Sequence, residues 1–164
     1  MSVSVVDSPD VRVRAQDLGL PSPEGLAFLP RHWETAKSSQ ELQHEPDTST
    51  LRKLFHEAGL TIKQLQPADR LLPTPAQKSV DWLPPIIFVG GMLATQNPYA
   101  IQLALNVLGT YLADLLRTRR PIPQVQLTFV LETTRTRSYK KLTYEGPVSG
   151  IKDLATQLRE LQHD

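Results

Sequence analysis

The sequence predicts an α+β domain: a small sheet packed with a long apolar helix and a carboxy-terminal helix, preceded by a proline-rich irregular arm and two short helices. Three observations carry this reading. Residues 98–116 are apolar on nearly every side, with Gln102, Asn106, Thr110 and Asp114 four apart in one narrow polar stripe. Val125, Leu127, Phe129 and Leu131 alternate with Gln126, Thr128, Val130 and Glu132, the two-residue period of a strand, and Tyr139–Glu145 returns to complete a hairpin over 124–145. Beyond the breaks at Gly146, Pro147 and Gly150, the residues Ile151, Leu154, Ala155, Leu158 and Leu161 make an amphipathic last helix.

From the amino terminus, residues 1–46 form the arm. Pro9, Pro21, Pro23 and Pro30 each fix φ and remove a backbone donor, which excludes long regular elements there. Val3 and Val5, then Val11 and Val13, alternate with polar residues and predict a short hairpin. Leu26, Phe28, Leu29 and Trp33 are an apolar run that must be covered, since burying such a side chain is worth roughly 1.5–3 kcal/mol.

Residues 47–85 hold two short helices and a connector. Asp47, Thr48 and Ser49 offer N-cap chemistry, Leu51, Leu54, Phe55 and Ala58 share a helical face, and Gly59 sits where a helix ends in the left-handed conformation. Thr61 with Gln64 three residues on reads as a capping box that opens a second helix through Ile62 and Leu65, stopped by Pro67. Prolines 73, 75, 84 and 85 mark 71–85 as an extended connector. Residues 86–164 make the helix–strand–strand–helix core, preceded by the apolar run Ile86–Val89. Gly90 and Gly91 follow that run without GxGxxG or GxxxxGK[ST] around them, so close packing against a helix explains them better than a phosphate does.

Several function classes are excluded or weakened. The chain has no cysteine, which removes disulfides, thiolate metal sites and a cysteine nucleophile. Its four histidines, His32, His44, His56 and His163, lie in separate segments without metal-ligand spacing, no serine sits in GxSxG, and no paired carboxylates are bracketed by apolar sequence. No cofactor, metal or catalysis is expected. A formal net charge of +1 gives no global pull toward nucleic acid or acidic lipid. MSVSVVDSPD has neither the basic nor the apolar region of a secretory signal, which predicts a cytoplasmic protein.

The stretch TSTLRKLFHEAGL is similar to the opening of a helix-turn-helix, so DNA binding through helices at 50–66 is one reading; the second helix, with Lys63 as its sole cation, is too short to read bases. An apolar helix ending in LLRTRR, a strand, a basic loop, a strand and the terminal TYEGPVSGIKDLATQLREL resembles the small effector-associated accessory components encoded beside bacterial conflict and antiviral defence systems. The resemblance spans Pro98 to the end and is one of layout. It implies an adaptor role in a multi-protein assembly and brings no catalytic residues.

The wide apolar perimeter of the long helix exceeds the stripe of about 100° that a core-facing helix needs. It therefore predicts a second partner: a larger protein or another copy of the chain, with Phe28, Trp33, Ile101, Leu105, Leu108, Tyr111, Leu112, Leu115, Arg135 and Arg137 as the expected docking residues. The alternative is a membrane-active, membrane-associated effector that inserts 83–116, against which Asp114, Gln102 and Asn106 argue. Arg117, Arg119 and Arg120 complement the carboxyl end of the helix.

Overall fold

The computed structural model describes residues 2–74, 85–121 and 124–164, without the side chains of Ala94 and Thr95. Pro75 and Pro84 of the expected connector, and the first residues of 83–116, lie outside the described residues. The class is α+β, built on one mixed six-stranded sheet. In chain order the elements are β1 (Ser2–Asp7), α1 (Val11–Asp17), β2 (Leu26–Leu29), α2 (Thr48–Glu57), β3 (Ile62–Gln64), β4 (Ile86–Val89), α3 (Leu93–Gln96), α4 (Ala100–Leu115), β5 (Val125–Glu132), β6 (Tyr139–Gly146) and α5 (Leu154–Gln162), with a 3₁₀ segment at Val148–Asp153 leading into α5. Across the sheet the strand order is β1-β6-β5-β4-β2-β3. The β4–β5 and β2–β3 pairs are parallel and the other three are antiparallel.

The hairpin is therefore the centre of a much larger sheet. The arm supplies two of the added strands: β1 lies antiparallel to β6, with Val3 opposite Tyr144 and Val5 opposite Leu142, and β2 sits inside the sheet between β4 and β3. The expected pairing of the valines at 3–5 with those at 11–13 does not occur. Pro9 and Asp10 intervene, and the Asp10 carboxylate accepts the Arg12 and Val13 N–H groups at 3.0 and 3.1 Å, capping a helix that buries Val11, Ala15 and Leu18 and exposes Val13. The predicted second helix at 61–65 is likewise a strand. Between Gly59 and Pro67 a helix could close almost no internal hydrogen bonds, whereas β3 pairs its backbone with β2. Without that helix the 50–66 segment does not form the helix-turn-helix on which the DNA-binding reading rests. Gly59 does end α2, at φ 89°, with Leu60 N–H donating back to the Phe55 carbonyl at 2.8 Å.

The two faces of the sheet are covered unequally. Leu26, Phe28, Ile87, Val89, Leu127, Phe129, Leu142 and Tyr144 point to one side, where α2, α4 and α5 close the main core. Phe28 stacks on Phe55 of α2 with ring centroids 6.0 Å apart. Ala27, Leu29, Phe88, Val130 and Tyr139 point the other way and meet Val11, Trp33 and Leu65 in a smaller cluster. This second layer is bound to the sheet by Arg12–Glu132 and Lys141–Glu34 ion pairs, and to itself by Arg14, whose guanidinium donates to the Trp33 and Ala36 carbonyls.

Candidate functional site

α4 begins after Tyr99 and lies over the sheet with α2, the 3₁₀ segment and α5 against it. Ala100, Ile101, Ala104, Leu105, Leu108, Gly109, Leu112 and Leu116 are all buried by this chain alone. The polar stripe faces water, and Gln102 Nε2 donates to Asn106 Oδ1 at 3.1 Å. Most of the supposed surplus perimeter is thus internal. Among the described residues no helix is long and apolar enough to cross a membrane, and the described part of 83–116 is folded into the sheet and its covering layer.

The expected docking residues divide accordingly. Phe28, Ile101, Leu105, Leu108 and Leu112 come together in the main core and Trp33 in the smaller cluster, so none of these six can meet a partner without unfolding. Their apolarity is explained by the sheet strands that sequence periodicity did not place beneath them. Tyr111 is half-buried, its ionisation pushed up to about 12 by burial and by the charge and hydrogen bond of Asp47. Leu115 remains 38% exposed. Arg135 and Arg137 are exposed on the β5–β6 loop, at the far end of β5 from α4's carboxyl terminus.

Near the carboxyl end of α4 the surface opens into a concavity that Leu115 does not line. A cleft of about 760 Å³ separates the last turns of α4 from the 3₁₀ segment, with Gly109, Ala113, Leu116, Pro147 and Val148 among its lining. Arg117, Arg120 and Lys152 also line it, against Asp114 as the single acid among the described residues. Arg120 Nη1 donates to the carbonyls of Arg117 and Arg119, closing the helix end, and Arg117 lies 3.6 Å from Asp114 in a largely exposed pair of little energetic weight. The Lys152 stem lies across the helix, 3.9 Å from the place a Cβ on Gly109 would occupy, an ordinary van der Waals distance that an alanine would also keep. The cleft is an apolar trough with net positive charge.

A second polar cluster sits at the carboxyl ends of the parallel strands β4 and β5, where open α/β sheets bind ligands. Glu132 accepts from Arg12 Nε at 2.9 Å, Gly91 N–H at 3.0 Å and the Tyr139 hydroxyl at 3.0 Å. Burial pushes its carboxyl up, but these donors outweigh burial and hold it below the ordinary carboxylate range. An ionised carboxylate whose lone pairs are so occupied has no proton to give and little basicity to offer, so it clamps α1 and the Gly91 turn to the sheet. Gly90 and Gly91 are needed for close approach, as expected, but against other neighbours. A Cβ on Gly90 would fall 3.0 Å from Gly25 N and one on Gly91 3.3 Å from Glu132, so a loop and a strand crowd them where a helix was expected. Among the described residues no three His, Asp or Glu side chains group as metal ligands.

Compared with family models, curated proteins and solved structures, the chain matches none.

Proposed function

We propose that this protein acts without catalysis, as an accessory subunit that docks on a larger protein assembly through the cleft at the end of α4. The observation that carries the reading is the cleft's make-up: an open apolar floor of Ala113, Leu116 and Val148 beside Arg117, Arg120 and Lys152. Its charge suits an acidic segment that inserts an apolar side chain, a combination in which burial supplies affinity and the charged rim supplies orientation. The layout shared with effector-associated components supports an assembly of the bacterial defence kind, and the cytoplasm as its place.

The test is site-specific photo-crosslinking from Ala113, an exposed position in the cleft, in the native cells. The expected result is a discrete protein adduct that disappears when Arg117→Glu and Lys152→Glu are combined, and persists with the surface control Val13→Glu. Adducts indifferent to the rim reversal, or none at all from a folded, expressed chain, overturn the proposal.

A further inference from the structure

The sheet ends at β1, and among the described residues nothing pairs with that strand's outer edge. Which backbone groups the edge presents follows from one hydrogen bond. Ser8 N–H donates to the Tyr139 carbonyl at 3.0 Å, and the β1–β6 register runs unbroken from Ser2 to Asp7. Donors and acceptors alternate sides along an antiparallel strand. Ser2, Ser4 and Val6 therefore address β6, while Val3, Val5 and Asp7 aim their N–H and C=O groups away from the sheet. Natural edges are commonly blunted by proline, lysine or a bulge. SVSVVD has none of these, and Val5 and Val6 are 44% and 51% exposed.

Beside this edge, on the helical face, runs a furrow of about 440 Å³ between β1 and α5. Val3, Val5, Leu142 and Leu161 line it together with Glu160 and Asp164, and among the described residues no cation does. Lys140, on the same face, is already paired with Asp7. A second copy of β1 would bring another Asp7 and another Glu160 to an acidic rim. The charge instead suits a strand that carries lysine or arginine.

We infer that the β1 edge is a strand-addition site for an extended segment of a partner protein whose furrow-facing side chains are apolar and basic. Backbone pairing with Val3, Val5 and Asp7 supplies the docking, and the furrow selects the side chains. This surface is separate from the α4 cleft, and either can be occupied without the other.

The probe is a capped heptapeptide that alternates threonine with valine, lysine and valine, compared with the same peptide carrying glutamate for lysine. Titrated into the full chain, the lysine peptide is expected to slow amide exchange at Val3, Val5 and Asp7 while leaving Ser4 and Val6 unchanged, and to bind about tenfold more tightly than the glutamate peptide, since one exposed lysine is attracted by Glu160 and Asp164 where the glutamate is repelled by both. Val5→Pro removes one outward donor and none of the bonds to β6, so it should abolish binding at unchanged circular dichroism. Glu160→Lys, on the exposed face of α5, should reverse the peptide preference and serves if the proline variant does not fold. Equal binding of the two peptides, no protection at the three edge amides, or a dimer of the free chain that protects those amides each overturns the inference. Because neither peptide reaches the α4 cleft, failure here leaves the crosslinking test intact.

Discussion

Truncating Leu108 and Leu115 in turn, each to alanine, separates a core helix from a docking helix. Both changes remove the same side-chain atoms from α4, so any difference comes from surroundings. Leu108 is 0% exposed and belongs to the main core. Losing its transfer free energy costs about 2.4 kcal/mol at roughly 0.8 kcal/mol per methylene. The unfilled space raises this to about 3–4 kcal/mol, within the usual span for a buried leucine. Leu115 is 38% exposed and lies outside the lining of the cleft. Its truncation forfeits only part of the transfer term and leaves no closed cavity, so about 1–1.5 kcal/mol is expected. At about 2–4 °C per kcal/mol for a chain of this length, the melting temperature should drop by roughly 6–16 °C for Leu108→Ala and by less than about 6 °C for Leu115→Ala. Urea unfolding followed by circular dichroism measures both, and an unchanged slope shows that only stability has moved. Equal losses, or a larger loss at Leu115, would mean that α4 does not turn Leu108 to the sheet, and the assignment of the core would be wrong.

Three further outcomes follow from named contacts. Glu132 has its folded carboxyl held below the ordinary value, so its contribution is present above the unfolded value of 4.5 and lost as pH falls through the folded one; Glu132→Gln should flatten the acid limb of a stability-versus-pH curve, and an unchanged limb counts against the clamp. His44, held low chiefly by burial despite its 2.7 Å bond from Nε2 to the Leu65 carbonyl, resists protonation in the fold; its stabilising term is full above about 6.5 and fades below, so His44→Gln should reduce the loss of stability on acidification from neutrality, read by thermal melts across that range. Gln162 is fully buried and donates to the Val89 and Gly90 carbonyls at 3.3 and 2.9 Å; Gln162→Leu leaves both without this donor and should cost about 1–3 kcal/mol in urea unfolding, with faster exchange confined first to the turn after β4.

Elements whose signals are local could be read directly from the order of residues. α2 ends at Gly59 because only a residue at ease with positive φ closes that turn, the β5–β6 hairpin follows from an unbroken two-residue alternation, and the α5 period and the Gln102–Asp114 stripe each name the face that meets water. What covers the remaining faces depends on how distant segments pack together. Leu26–Leu29 and Ile86–Val89 are interior strands between other strands, so they carry continuous apolar runs with no period to betray them. Periodicity states how much apolar surface needs shelter and is silent on who provides it. For that reason the breadth of α4 pointed to an outside partner when the sheet, α2 and α5 were the cover, and Phe28 and Trp33 passed for docking residues. The β1 edge was invisible for the complementary reason: an unpaired row of backbone groups is a property of strand order, and no side chain in SVSVVD encodes whether β1 lies inside a sheet or at its margin.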